Sequence, residues 1–479
     1  MKKNIKINFV FNIIVNIVNT LISIFATGYL ARVLGANNIG LYSYLVSIVS
    51  YFTLFGSIGT AKYASREIAY RRDDKEEMSR LFEEVLLLRF FLNAIAFAVY
   101  FLIMHFSNFD SRLIIIISFF IVNEVVDITW FCHGVENFKI IFYSTFLMRI
   151  IFLISILTFV RSSDDFIRYV IIEVAYNLLF NGMLWTSIRK HIRWTRHLNP
   201  FKHVKESILL FLPSIAVQIY VVLDKTMLGF LSAGNYEENS YYSLAEGIVK
   251  AFLLVGSSLT KVTAPRIAYL NANNKKEEIS ETLYESYRIG WFITLPITLL
   301  IFKASDYIVP LYFGTGYDGV IILLKILSPL VIFITFSGIT GEQYLIPCKY
   351  TNTQTAILFG GAGINLVLNV FLILRFFSVG ASIATICAEG FVTVAQLIVA
   401  DRHGILKISQ VLKEGKNYII SSICLVAFFV ITSTITTSVF SFAISAFIGL
   451  LIYLIILVVL KDKIVFQKIQ KLSQRNTST

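Results

Sequence analysis

The chain has 479 residues, of which 56% are hydrophobic and only 15% charged, with mean hydropathy +0.73 and a net charge of +12. Soluble domains carry about 25% charged and about 45–50% apolar residues, so a soluble globular protein is excluded and a polytopic helical membrane protein is expected. In so apolar a chain the positive charge belongs to the loops and predicts no nucleic-acid partner.

The first segment, MKKNIKINFVFNIIVNIVNT, begins basic and turns apolar. Its run is too long for a secretory signal, Asn interrupts it and no small-x-small cleavage site follows, so it reads as a retained first helix. Hydropathy then places about fourteen membrane helices at 8–31, 39–62, 81–105, 112–133, 139–160, 166–188, 206–232, 240–262, 283–303, 318–340, 354–374, 379–401, 417–438 and 440–460. Segments near twenty apolar residues suffice to cross roughly 30 Å of hydrocarbon. Counted with the helix ends that border them, the N-terminus, the even-numbered connections and the C-terminal tail carry thirty Lys and Arg, whereas the alternate connections carry only Arg32, Arg112, Arg161, Lys303 and Arg375. That asymmetry predicts both termini in the cytoplasm. The basic connection 189–205 holds three of the six histidines and reads as a contact with anionic lipid rather than a metal site. The four cysteines stand at unrelated spacings in or beside apolar segments and imply neither disulfide nor zinc.

The chain repeats itself. KEEMSRLFEE from Lys75 is matched by KEEISETLYE from Lys276; LGANNIGLY from Leu34 by LGFLSAGNY from Leu228; REIAY at Arg66 by RIAY at Arg266. The order is kept, which predicts two six-helix lobes, 1–200 and 201–402, followed by two accessory helices and a tail, 403–479. Six is an even number, so the lobes enter the membrane in the same orientation and form a parallel repeat around a central cavity, an arrangement used for alternating access.

Eleven ionisable residues fall inside the helices: Arg89, Glu124, Asp127, Arg149, Glu173, Asp224, Lys225, Glu246, Lys250, Lys325 and Glu389. At about 3 kcal/mol each, exposing all of them to lipid would cost on the order of 30 kcal/mol, so they must face one another or water. Arg149 and Glu124 lie at similar depth, so mutual neutralisation is one reading of them and cavity lining the other. Polar stripes at helical spacing run along Asn8, Asn12, Asn16, Asn19, Ser23 and Thr27; Glu173, Asn177 and Asn181; Ser214, Gln218 and Lys225; Glu246, Lys250, Ser257 and Lys261; and Ser382, Thr385, Glu389, Thr393 and Gln396. Such stripes either line a cavity or hydrogen-bond helix to helix, and Glu246–Lys250 is equally readable as a structural ion pair. Pro213, Pro296 and Pro329 lie inside helices, as static kinks or as bending points. No GxSxG, Walker A, HExxH or CxxC motif occurs, so no enzyme chemistry is predicted.

The stretch ARVLGANNIGLYSY from Ala31, DKTMLG from Asp224, APRIA ending the eighth helix, and NLVLN at Asn365 to Asn369 followed by VGASIATICAEG resemble Wzx-type bacterial polysaccharide flippases for O-antigen or capsule repeat units. That family lies within the multidrug/oligosaccharidyl-lipid/polysaccharide (MOP) superfamily, alongside lipid II flippases and MATE-type exporters. The resemblance spans the chain. It implies movement of an undecaprenyl-pyrophosphate-linked oligosaccharide between leaflets of the bacterial inner membrane, with membrane lipids and a polysaccharide polymerase or other assembly proteins as partners. Arg32, Arg89, Arg149, Lys225, Lys250 and Lys325, with Asn12 and Asn16, are then the residues expected to hold the pyrophosphate and sugar. Asp127, Asp224 and Glu389 are candidates for coupling to H+ or Na+; no other cofactor is implied. A lipid II flippase and a MATE-like exporter of small molecules remain alternatives.

Overall fold

The computed structural model describes residues 2–188, 192, 198–232 and 234–466. Within helices the side chains at 2–18, 20, 21, 187, 212–214, 216, 217, 219, 220, 254–259, 261 and 262 lie outside that description, and with them Asn8, Asn12, Asn16, Pro213, Ser214, Ser257 and Lys261. The described residues form helices and no strand, grouped in two compact units, Met1–Ser240 and Tyr241–Thr479.

The first unit contains α1 (Lys2–Ser57), α2 (Thr60–Arg71), α3 (Lys75–Met104), α4 (Ser111–Val126), α5 (Thr129–Gly134), α6 (Phe138–Phe159), α7 (Phe166–Ile188) and α8 (Val204–Leu231); α9 (Tyr236–Ala272) starts here and continues into the second unit. The second unit adds α10 (Lys276–Phe313), α11 (Asp318–Leu327), α12 (Leu330–Thr340), α13 (Thr351–Arg402), α14 (Ile408–Ile431) and α15 (Val439–Val459). Among the described residues ten helices are long and apolar enough to cross a membrane. α1 and α13 each contain a break, at Gly35 and Phe377, that makes two passes of one run. The breaks fall between the expected segments 8–31 and 39–62 and between 354–374 and 379–401. Pro329 separates α11 from α12, whereas Pro296 sits inside an unbroken α10.

The helices are apolar outside and polar inside. On α3 the exposed face carries Phe90, Phe91, Ile95 and Leu102, while Arg89, Asn93 and Tyr100 are buried. Lipid solvates the first set, and packed helices must satisfy the second. The repeat is visible in burial as well. Ile68 and Ile267 are both 0% exposed, and the tyrosines two residues on, Tyr70 and Tyr269, are 76% and 64% exposed.

Glycines explain the repeated L-G-x-x-x-x-G-x-Y motif. Gly35 breaks α1 with φ 79° and ψ 166°, a conformation closed to side chains. Gly40 lies so close to α9 that a Cβ there would stand 1.6 Å from the Tyr236 carbonyl oxygen, and a Cβ on Gly229 would stand 2.2 Å from the Tyr44 ring. The segments carrying the two motif copies therefore pack on each other inside the first unit, with Tyr44 stacked on Tyr236 at 5.8 Å.

The same packing explains why the compact unit extends to Ser240, past the repeat boundary expected near residue 200. α8 lies on α1 and α2, with Thr226 Oγ1 donating to Ser47 Oγ (2.9 Å). Its approach is tied down as well. Glu84 of α3 is buried and accepts from Lys202 Nζ (2.7 Å), the Asn199 backbone N–H (3.0 Å) and His203 Nε2 (2.8 Å), while the Tyr63 hydroxyl bonds His203 Nδ1 (2.7 Å). The set is satisfied by a neutral imidazole donating to Glu84 and accepting from Tyr63.

Two outcomes test this packing. Gly40→Ala should destabilise the protein by at least the ~1–3 kcal/mol typical of overpacking, read as a lower Tm, while Gly363→Ala, in open space, leaves Tm unchanged. Burial, with help from Lys202 and Arg71, holds the His203 pKa below its ordinary value against the opposing pull of Glu84. An unclasped histidine therefore binds more protons, and acidification through about pH 6.5 weakens the clasp. Hydrogen exchange at Asn199–Val204, corrected for its intrinsic rate, should quicken from pH 7 to 5 and lose that dependence in His203→Gln.

Candidate functional site

The polar interior of the first unit is organised by an interrupted helix. α4 ends at Val126 because Asp127 is extended (φ −68°, ψ 116°), and α5 resumes at Thr129. An interruption frees backbone carbonyls, which cannot be left bare in hydrocarbon. Here Trp185 Nε1 donates to the Val126 oxygen (2.7 Å), and Trp130 Nε1 (3.0 Å) and Arg89 (3.1 Å) donate to the Asp127 oxygen. The Asp127 carboxylate accepts from the Thr129 N–H (2.9 Å) at the start of α5.

Arg89 is 0% exposed, and its guanidinium meets Glu124 at 2.5 Å and Asp127 at 3.8 Å. Around it, Asn93 Nδ2 donates to the Gly56 and Arg89 carbonyls (3.1 and 2.8 Å), and Asn181 Nδ2 donates to Asn123 Oδ1 (2.9 Å), joining α7 to α4. Glu124 is 25% exposed, toward a cavity of about 260 Å³. The cavity is lined by Ser50, Tyr51, Thr53, Leu54 and Ser57 of α1, Glu124, and Gln218 and Val222 of α8. A larger cavity of about 560 Å³ lies at α2 and α5, lined in part by Lys62, Arg66, His133 and Glu136. There Arg66 is engaged by Glu67, and Glu136 by Arg72 (3.0 Å each), the chemistry of a solvated face.

The structure sorts the expected residues. Arg89 and Asp127 come together, joined by Glu124. The Arg149–Glu124 pairing read from depth is not what forms: Glu124 takes Arg89, and Arg149 lies over the Tyr176 ring at 4.8 Å with Glu173 as its electrostatic neighbour. Depth along the normal placed Arg149 and Glu124 level, but only packing decides which helices face. Lys250 pairs with Glu246 and Lys325 with Asp306, both at 2.6 Å. Asp224 is buried on α8, beside half-buried Lys225; Glu389 is half-buried on α13; Arg32 is exposed three residues before the Gly35 break. Asn12 and Asn16 lie outside the described side chains. The α13 stripe works between helices: Thr385 bonds Tyr242 (3.0 Å), Thr393 donates to the Phe333 carbonyl (2.9 Å), and Gln396 donates to Gln354 (3.0 Å).

Sequence reasoning missed Ser50, Thr53, Ser57 and the partner Asp306, and did not give Glu124 a place in the site. Ser50, Thr53 and Ser57 stand 3 and 4 residues apart, a helical stripe that was legible in the second segment. Among the described residues no three His, Cys, Asp or Glu side chains are placed to hold a metal ion.

Breaking the buried pair should be costly. Glu124→Ala leaves Arg89 without its 2.5 Å partner and should cost about 3–5 kcal/mol. The double variant Arg89→Met/Glu124→Gln should recover most of that loss in a thermal-unfolding cycle.

Residues 5–271, more than half of the chain, match the family described as "Polysaccharide biosynthesis protein". The Escherichia coli K12 protein named "Putative O-antigen transporter" is 24% identical over 415 residues, covering 85% of this chain and 99% of that one. A Shigella flexneri protein of the same name is 25% identical over 226 residues, covering 47% of this chain and 43% of its own length. Among solved structures, the lipid II flippase MurJ in an inward closed conformation superposes with a TM-score of 0.75 at 17% identity, covering 95% of this chain and all of that one. An outward-facing multidrug resistance MATE transporter of the MOP superfamily gives a TM-score of 0.53 at 14% identity, over 85% and 95%. The fold is thus the one seen in the MurJ and MATE structures, and the chain belongs to the polysaccharide biosynthesis protein family.

Proposed function

We propose that the chain is a flippase that carries undecaprenyl-pyrophosphate-linked oligosaccharide repeat units from the inner to the outer leaflet by alternating access, for O-antigen, capsule or exopolysaccharide assembly. The observation that carries this reading is the match to the Escherichia coli protein along 99% of that protein's length. A polar interior under an apolar exterior supports it, because a hydrophilic head must cross while its prenyl tail stays in lipid. The lysine and arginine asymmetry of the loops supports cytoplasmic termini in a bacterial inner membrane.

Three of the six candidate cations, Arg89, Lys250 and Lys325, face carboxylates. With Arg32, Arg149 and Lys225 they are the cations proposed to meet the pyrophosphate. Asp127, Asp224 and Glu389 are the candidates for H+ or Na+ coupling, and a polymerase that consumes the flipped units is the natural partner. A second reading, a cation-coupled exporter of small molecules, draws on Glu124 in the wall of the 260 Å³ cavity.

Deletion of the gene decides between them. The flippase reading expects lipid-linked repeat units to accumulate on the cytoplasmic face and surface glycan to disappear. Unchanged lipid intermediates, with new sensitivity to cationic compounds, would establish the exporter instead.

A further inference from the structure

The cavity on α1, α4 and α8 differs from what a pyrophosphate site requires. No cation lines it. Its hydroxyls have already spent their protons: Ser50 Oγ donates to the Val46 carbonyl (2.6 Å), Thr53 Oγ1 to the Ser50 carbonyl (3.0 Å) and Ser57 Oγ to the Leu54 carbonyl (3.0 Å). A hydroxyl that donates to its own helix still has lone pairs to offer. These three oxygens stand in the cavity wall as acceptors, beside the Glu124 carboxylate and the Gln218 amide oxygen, and the Gln218 NH₂ adds donors. Tyr51, Leu54 and Val222 supply apolar surface between them.

We infer that this cavity receives one neutral sugar ring of the transported glycan through the ring's hydroxyl groups, and that it excludes the pyrophosphate. The inference rests on the flippase reading and assigns its glycan subsite. Sugar hydroxyls are the donors that an acceptor-rich wall lacks, and the C–H faces of a ring suit Tyr51 and the two aliphatic side chains. Size agrees. At about 260 Å³ the cavity falls below the roughly 300–1,000 Å³ of drug-sized sites, which restricts it to about one ring in place of eight or nine waters at ~30 Å³ each. Charge decides against the alternatives. A carboxylate wall without a facing cation repels a phosphate, and Arg89, 2.5 Å behind Glu124, compensates the charge that would draw a cation. Glu124 thus spends one oxygen on Arg89 and turns its remaining lone pairs to the cavity as an acceptor.

The test uses the full chain in lipid nanodiscs, with saturation transfer to glucose, galactose and N-acetylglucosamine as the readout. At least one of these sugars should receive saturation from the wild type. Thr53→Val/Ser57→Ala, which removes two acceptors at nearly constant volume, should weaken that sugar about tenfold, and Leu54→Trp, which fills the cavity, should abolish its signal. Gln218→Leu, on a different helix, should weaken the sugar similarly and guards against misfolding of the α1 variants. Inorganic pyrophosphate and tetramethylammonium should leave the sugar signal unchanged. The inference is overturned by silence from all three sugars, by equal signals in wild type and every variant, or by displacement with pyrophosphate or tetramethylammonium. Liposome flipping separates the two levels. If folded variants move lipid-linked glycan at the wild-type rate, the subsite falls and the transport reading stands. If the wild type binds sugar and moves no lipid-linked glycan, the transport reading falls instead.

Discussion

A guanidinium cannot sit alone in hydrocarbon, and the arrangement of the first unit follows from that constraint. Arg89 occupies the inward face of α3 with no exposure at all, so carboxylates must come to it. Glu124 does so from the end of α4 and Asp127 from the break that follows it, three residues apart. An uninterrupted helix would put the first of them on Arg89 and leave the peptide oxygens unavailable. The break at Asp127 adds a carbonyl as a third acceptor, and two tryptophans close the remaining gap in the helical hydrogen bonding. Charge pairing, helix interruption and indole placement are one structure here.

The consequence for the interior is a division of labour between charges. Lys250 and Lys325 are neutralised within their own unit by nearby acids, and Arg89 is neutralised behind the cavity wall. What the cavity presents is therefore oxygen lone pairs and amide, a surface matched to hydroxylated ligands. A polar interior of this kind sits under helices whose outward faces are phenylalanine, isoleucine and leucine, an inversion of the soluble pattern that lipid demands.

Much of this was legible before any coordinates. The helical membrane fold, the matched strings such as KEEM and KEEI, and the pairing of ionisable residues follow from hydropathy, from the sequence itself and from the cost of charge in lipid. Partner choice was not legible. Arg149 and Glu124 are level in depth, yet side-by-side placement depends on which helices touch and how each is rotated, information that no single segment holds. Asp306 was overlooked because the expected segment stopped at residue 303, whereas α10 runs on to Phe313; only Lys325 at 2.6 Å shows why it is there. The stripe in α13 was visible, but whether its hydroxyls and amides face water or a neighbouring helix turned on Tyr242, Phe333 and Gln354, far away in sequence. Glycine roles were half visible: the recurrence of Gly35 and Gly40 is written in the motif, while the Tyr236 oxygen that forbids a methyl group at Gly40 is not.

α8 opens the second copy of the repeated sequence, yet it is fastened to α1, α2 and α3 through Thr226, Glu84 and His203. The boundary read from the repeated strings, near residue 200, and the edge of the compact unit at Ser240 therefore differ by about the length of α8. Exchanging halves between relatives at the first of these would strip the first body of a wall. An exchange made beyond Ser240 would carry that wall with its neighbours.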